Sequence, residues 1–257
     1  MISKLLMEPL FRRKGFEHVL DLPGNKTKFS GPLLDWIPWQ VFLYGCYLKE
    51  QVVGDYMLSQ IREGNTIFDI GANLGYYSVQ FAEKTGNKGS VYSFEPLDYQ
   101  LQYLKQNISL NRLDHITVEK QIVSDRAGEQ TIYFSSSKNS GQSSIHTPTK
   151  TFESIPAITL DDYCRENNIA RIDLIKIDVE GHEYKVVTGM ESLLSSKSVG
   201  SLFIEINDAN LKQSGSSGKE LVNFLNNKGY KAYKITETGI TAYQGNQDES
   251  LIYFTGA

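Results

Sequence analysis

From Asn65 onward, short apolar runs alternate with stretches of helical spacing. Thr66–Ile70 and Ser90–Phe94 read as buried strands. The first leads into a helix ending near Lys84. The second leads into a helix carrying Leu97, Leu101, Leu104 and Ile108, whose spacing lines one face. Residues 116–123 read as a third strand, kinked near Lys120. Asp125-Arg126-Ala127-Gly128 reads as a hairpin turn into residues 130–134. Residues 135–149 contain six serines and read as a loop of lid or substrate type. Ile158-Thr159-Leu160 is a short extended piece, and Asp161 is the expected cap of a helix to about Asn168.

Residues 173–177 have the apolar character of a central parallel strand. They end in Asp178-Val179-Glu180-Gly181-His182-Glu183. A helix follows with Val186, Val187, Met190, Leu193 and Leu194 inward. Residues 201–206 are a further strand, ending in Asn207-Asp208. A polar loop over 215–218 then precedes a helix over 219–228. Residues 230–235, 240–243 and 251–255 read as antiparallel edge strands, with turns at Thr238-Gly239 and Gly245-Asn246.

This alternation predicts an α/β, Rossmann-like sheet over residues 64–257, mostly parallel, with right-handed crossovers and helices on its faces. Ligands bind such sheets outside the carboxyl ends of the strands, where strand order reverses. Residues 1–63 differ. They hold both tryptophans and the aromatics Phe29, Trp36, Trp39, Phe42, Tyr44 and Tyr47, with turn signals at Pro23-Gly24-Asn25 and Gly31-Pro32. They read as short strands or turns and a helix over about 48–62, together an N-terminal cap on the ligand end.

The turn after the first strand carries the chemistry. Phe68-Asp69-Ile70-Gly71-Ala72-Asn73-Leu74-Gly75-Tyr76-Tyr77-Ser78 places glycines where a backbone turns tightly. Dinucleotide enzymes use G-x-G-x-x-G, with the pyrophosphate at the helix N-terminus. Here Asn73 stands where the middle glycine would be. Such a loop suits a ligand with an adenosine and no pyrophosphate, namely S-adenosylmethionine. Asp69 is placed to meet its ammonium group, directly or through water, and Glu95 to accept from the ribose hydroxyls. A nicotinamide-dependent oxidoreductase is the rival reading. The missing glycine and the lack of a Tyr-x-x-x-Lys pair at the expected later position count against it. A nucleotide-binding protein without turnover is a second rival.

Composition narrows the picture a little. The chain has 257 residues, 40% of them hydrophobic, and a net charge of −4. No basic patch favours nucleic acid. Cys46 and Cys164 form neither a disulfide framework nor a zinc cluster and suit a reducing, cytoplasmic setting. No run has the length of a signal peptide core or a membrane span. No pattern specifies an oligomeric state.

With Phe94-Glu95-Pro96, residues 107–111, Ser124-Asp125, Thr159-Leu160-Asp161 and Ile175-Lys176-Ile177-Asp178-Val179-Glu180-Gly181-His182-Glu183 added to the glycine loop, the chain resembles the FkbM family of methyltransferases over about residues 65–206. The resemblance implies a class I methyltransferase fold and S-adenosylmethionine as donor. It also implies methylation of hydroxyls on sugars, glycans and related metabolites. By the family's pattern the donor site comprises Asp69, Gly71, Asn73, Gly75 and Glu95. Ser124 and Asp125 fall where the adenine is contacted in that fold.

Methyl transfer to a hydroxyl requires in-line alignment and gains from a base. Asp178, Glu180 and His182 are the candidates. Asp178 ranks first because it is the first polar residue beyond the strand. His182 titrates in a suitable range, but a helix start offers it to solvent. Glu183 reads as a favourable charge on the helix dipole. A Mg²⁺-assisted variant would draw ligands from Asp178, Glu205, Asn207 or Asp208.

Overall fold

A computed structural model describes residues 17–22, 27–33, 35–134, 143–144, 151–243 and 250–256. The chain opens with a hairpin of β1 (Glu17–Asp21) and β2 (Lys28–Pro32), followed by helix α1 (Trp36–Tyr44). A single 3₁₀ turn over Leu48–Glu50 leads into α2 (Gln51–Gln60). The α/β alternation then begins: β3 (Thr66–Ile70), α3 (Tyr76–Thr85), β4 (Ser90–Phe94), α4 (Asp98–Asn111) and β5 (Ile116–Glu119).

A side sheet follows, made of β6 (Ile122–Val123), β7 (Gly128–Phe134), β8 (Ser143–Ser144) and β9 (Thr151–Ile158). The chain returns through α5 (Leu160–Glu166), β10 (Ile172–Ile177), α6 (Glu183–Thr188), α7 (Glu191–Ser195) and β11 (Val199–Ile206). It finishes with α8 (Asp208–Gln213), α9 (Gly218–Asn227), β12 (Tyr230–Thr236), β13 (Gly239–Ala242) and β14 (Ser250–Gly256).

The main sheet runs β13-β12-β14-β11-β10-β3-β4-β5. Strands β11, β10, β3, β4 and β5 are mutually parallel, and β14, β12 and β13 add an antiparallel edge. From β3 the chain builds outward on one side through β4 and β5, then returns to build the other side through β10 and β11. The reversal therefore lies between β3 and β10, as the alternation predicts.

Period two along the central strands decides what each face carries. Phe68, Ile70, Ile175, Ile177, Leu202 and Ile204 feed one core cluster, beneath α5, α6, α7 and α9. Ile67, Leu174 and Phe203 feed the other. Two residues further along each strand, that second face carries Asp69, Lys176 and Glu205, all buried. The sheet is thus apolar along its length on one face and charged toward its carboxyl ends on the other. Leu22, Phe29, Val41, Tyr47, Val53 and Met57 join the second cluster. The segment expected to cap the ligand end therefore covers a sheet face and shares its core.

Three local expectations are corrected. The turn at 125–128 does not join paired strands. β9 lies between β6 and β7, parallel to the first and antiparallel to the second. Thr159, not Asp161, caps α5 by accepting from Asp162 N–H at 3.0 Å. Asp161 instead reaches α7, accepting from the N–H groups of Ser192 and Leu193 at 2.9 and 3.0 Å. The single helix expected after residue 183 is broken at Gly189, where a Cβ would lie 1.9 Å from the Ser124 carbonyl oxygen. Residues 1–16, the turn at 245–246 and most of the serine-rich loop lie outside the described residues.

Candidate active site

The glycine loop leaves β3 and is pinned at once. The N–H groups of Gly71 and Ala72 both donate to the Phe94 carbonyl at 3.0 Å. Gly71 has φ +81°, a conformation that favours glycine. A Cβ there would sit 1.9 Å from the Asp178 carbonyl oxygen. Gly75 has φ +85°, and a Cβ there would sit 2.6 Å from Leu104 Cδ1. Its glycine serves the packing of α3 on α4. Asn73 also lies in the left-handed region, at φ +51°. Asparagine tolerates that region better than most residues, which accounts for the absent middle glycine.

Glu95 closes the loop from β4. Its Oε2 accepts from Asn73 N–H at 2.9 Å and its Oε1 from Leu97 N–H at 3.0 Å. Burial pushes its carboxyl up to about 7, against the pull of those two bonds. Asp69 lies beneath the loop, 1% exposed. Its Oδ2 accepts from Ser78 Oγ at 2.6 Å, and Ser93 Oγ donates to Ser78 Oγ at 2.9 Å. Its buried Oδ1 has no hydrogen-bond partner among the described residues. Burial raises its pKa, while Lys176 and the Ser78 bond oppose the rise.

At the end of β10, Asp178 N–H donates to the Ile70 carbonyl at 3.0 Å, which joins the two loops. The turn that follows is folded by Glu183, whose Oε1 accepts from Val179 and Gly181 N–H at 3.0 and 3.1 Å. Burial pushes this carboxyl up to about 7. Glu183 is therefore a buried turn staple as well as a first-turn acid. Glu180 holds φ +54°, is exposed, and accepts from Asn210 Nδ2 at 3.0 Å.

His182 is buried, contrary to the expectation of a solvent-facing imidazole. Its Nε2 lies 3.0 Å from Ser124 Oγ, which donates to Asp125 Oδ1 at 3.0 Å and accepts from Gln130 Nε2 at 2.7 Å. One hydroxyl has one proton; with that proton on Asp125, Nε2 is the donor of the His182 contact. The sequence separates His182 from Ser124 and Asp125 by role, yet the structure joins them.

Asp178, Glu180 and Glu205 each bring a carboxylate oxygen within 4.8 Å of the others. Burial, then Asp178 and Glu180, push the Glu205 carboxyl up to about 10. Lys49 Nζ stands 3.7 Å from Glu205 Oε1. Asn207 and Asp208 are otherwise engaged. Asn207 Oδ1 caps α8 through the N–H groups of Ala209 and Asn210 at 3.1 and 3.3 Å, and Asp208 pairs with Lys212 at 2.6 Å. Glu180, named from the sequence as a candidate base, stands with Asp178 and Glu205 in this group.

Sequence reasoning missed Glu50, Lys176, Tyr47 and Tyr77. Tyr47 N–H donates to the Tyr76 hydroxyl at 3.2 Å, and the Tyr77 hydroxyl donates to Glu50 Oε2 at 2.9 Å. The two tyrosines after Gly75 thus tie the N-terminal segment to helix α3. Lys176 Nζ contacts Asp178 Oδ2 at 3.0 Å and lies 5.3 Å from the Tyr77 ring centroid. A lysine between Ile175 and Ile177 in a mostly apolar strand was the available signal, because a buried charge needs partners.

Fold and crevice together define a Rossmann-like α/β protein whose ligand end, between β3 and β10, is rimmed by carboxylates. Residues 69–232 match the Methyltransferase FkbM domain, and the chain belongs to the FkbM methyltransferase family. A 31-O-demethyl-FK506 methyltransferase of Streptomyces tacrolimicus is 29% identical over 182 residues, covering 59% of this chain and 66% of that one. A hexuronic acid methyltransferase of Haloferax volcanii is 26% identical over 157 residues, covering 61% and 62%. The chain thus spans slightly less than two thirds of the length of these relatives. The crystal structure of an FkbM methyltransferase from Methylobacillus flagellatus aligns at 17% identity with a TM-score of 0.48, over 78% of this chain and 50% of that one. No helix among the described residues is long and apolar enough to cross a membrane.

Proposed function

We propose that this chain is an S-adenosylmethionine-dependent O-methyltransferase acting on a hydroxyl of a sugar, glycan or related metabolite. The observation that carries the reading is the convergence of Asp69, Glu95 and Asp178 around one pair of joined loops, in which Gly71 N–H donates to the Phe94 carbonyl and Asp178 N–H to the Ile70 carbonyl. Glu95 would hold the ribose hydroxyls through the remaining lone pairs of its carboxylate. Asp69, sealed beneath the loop, would favour the cationic donor through its charge. Ser124 and Asp125 would flank the adenine, with His182 fixing Ser124. The relatives' names support the two parts of this reading separately: one, a 31-O-demethyl-FK506 methyltransferase, names an oxygen, and the other, a hexuronic acid methyltransferase, names a sugar acid.

In the transfer, the acceptor oxygen attacks the methyl carbon in line with the departing sulfur. Asp178 takes the hydroxyl proton as the C–O bond forms and the C–S bond breaks. The segment around Tyr47 and Glu50 supplies the acceptor side. Cys46 and Cys164 are both free thiols, which suits the cytoplasm. The test is calorimetric titration with S-adenosylmethionine, S-adenosylhomocysteine and NAD, followed by transfer of labelled methyl groups to a fractionated host extract. Binding of NAD and of neither methionine nucleoside sinks the reading.

A second reading has one observation in its favour. The proximity of Asp178, Glu180 and Glu205 suits a divalent cation such as Mg²⁺, which would lower the hydroxyl's pKa. Loss of transfer in EDTA, restored by Mg²⁺, supports it; transfer indifferent to EDTA removes it.

A further inference from the structure

Lys176 is a lysine inside a central parallel strand, 3% exposed. An isolated ammonium there would be costly. Its charge is held from several sides. Asp178 Oδ2 stands 3.0 Å away, the Tyr77 ring lies 5.3 Å from it centre to nitrogen, and Asp69 and Glu50 favour the charged form. These partners come from four places: the turn after β10, helix α3, strand β3 and the 3₁₀ turn of the N-terminal segment. Lys176 pairs in register with Asp69 across β3 and β10. Glu50 is itself fixed by the Tyr77 hydroxyl. The charge of the ammonium is thus favoured from elements other than its own strand end, and one oxygen of Asp178 is committed to it.

We propose that Lys176 is a positioning residue for methyl transfer: its ammonium fixes the Asp178 carboxylate at the strand end, so that the acceptor hydroxyl meets the carboxylate while in line with the donor methyl. This rests on the methyl-transfer reading and adds the group that holds its base. The acceptor proton passes to Asp178 and then to solvent, and Lys176 keeps its own protons throughout.

The test uses the full chain, labelled S-adenosylmethionine and the extract fraction that the wild-type protein labels. Lys176→Met keeps the side chain's length and removes its charge. Turnover is expected to fall at least about tenfold, with the donor Kd within about threefold of wild type. In an Asp178→Asn background the same substitution is expected to cost less than about threefold, because the group it positions is already disabled. Equal losses in both backgrounds, or wild-type turnover in Lys176→Met, overturn the proposal. If Lys176→Met does not fold, Lys176→Arg retains the cation with a different donor geometry. Turnover about tenfold lower at wild-type donor affinity supports the role, and wild-type turnover overturns it. A wild-type protein that binds no S-adenosylmethionine removes the methyl-transfer reading and this proposal together. Donor binding alongside an indifferent Lys176→Met removes the positioning role alone.

Discussion

Gly71 and Asp178 meet backbone to backbone: the hydrogen of Gly71 that a Cβ would replace points at the Asp178 carbonyl, where that Cβ would lie 1.9 Å from the oxygen. The loop expected to hold the donor and the loop expected to hold the base are therefore seated on one another. Gly71→Ala has no room and adopts a left-handed φ at further cost. It is expected to lower unfolding free energy by about 3 kcal/mol, a large loss typical of overpacking plus strain. Chemical denaturation measures this, and an unchanged midpoint would show that the loops do not touch.

Glu95 should make donor binding depend on pH. Its carboxyl is pushed up to about 7 by burial, and ribose hydroxyls donate best to the ionised form. Donor affinity is expected to rise with pH and to be about tenfold weaker at pH 6 than at pH 8. Glu95→Gln should flatten that profile, and Glu95→Ala should weaken the donor by about 1–3 kcal/mol. Titration calorimetry at several pH values decides; a flat wild-type profile removes Glu95 from the donor site.

Asp178→Asn tests the chemistry. The amide keeps the shape but accepts no proton, so turnover should fall by about 10²–10⁴-fold with little change in donor affinity. Single-turnover transfer of label at saturating donor gives the number. Wild-type turnover would dismiss Asp178 as the base.

Glu183 should set a slope in stability against pH. Its folded carboxyl is raised to about 7 from an ordinary 4.5. Between those values the folded state holds a proton that the unfolded state has released. Stability is thus highest below about pH 4.5 for this group and declines as pH rises through 7, by roughly 3 kcal/mol in all. Glu183→Gln cannot titrate and is expected to lose that part of the slope. Thermal denaturation of both proteins at pH 5 and pH 8 makes the comparison; parallel slopes would mean Glu183 does not titrate there.

Much of this architecture was legible because its signals are local. β3, β4 and β10 are apolar runs ending in turn residues, and the Asp178–Glu183 motif announces the second loop. The side sheet was less legible. Residues 116–123 read as one strand with a kink near Lys120; the break does fall there, but a kink does not show that the chain leaves one sheet for another, which only the pairing of Ile122 and Val123 with β9 decides. The cap that Asn207 places on α8 was not legible, because its residue type suits both ligation and capping and the helix it caps is too short to show a period. Lys176 lies in a motif that the sequence shows, but nothing local gives it a role. Its partners Glu50 and Tyr77 lie far from it in sequence, so no spacing rule brings them together.

The ties from Tyr47 to Tyr76 and from Glu50 to Tyr77 bear on how the chain is made. They span only 29 and 27 residues, so both partners of each tie are present once α3 has left the ribosome. The cation that faces Glu50 belongs to β10 and emerges much later. Until then the nascent chain holds an acid that has Lys49 beside it but lacks its stronger counter-charge, and the acid must stay in water or keep its proton. Chains truncated before β10 are expected to leave the Leu48–Glu50 turn open to protease, and lengthening them past Lys176 is expected to close it. Docking of that strand would then be the event that seals the cap onto the donor loop.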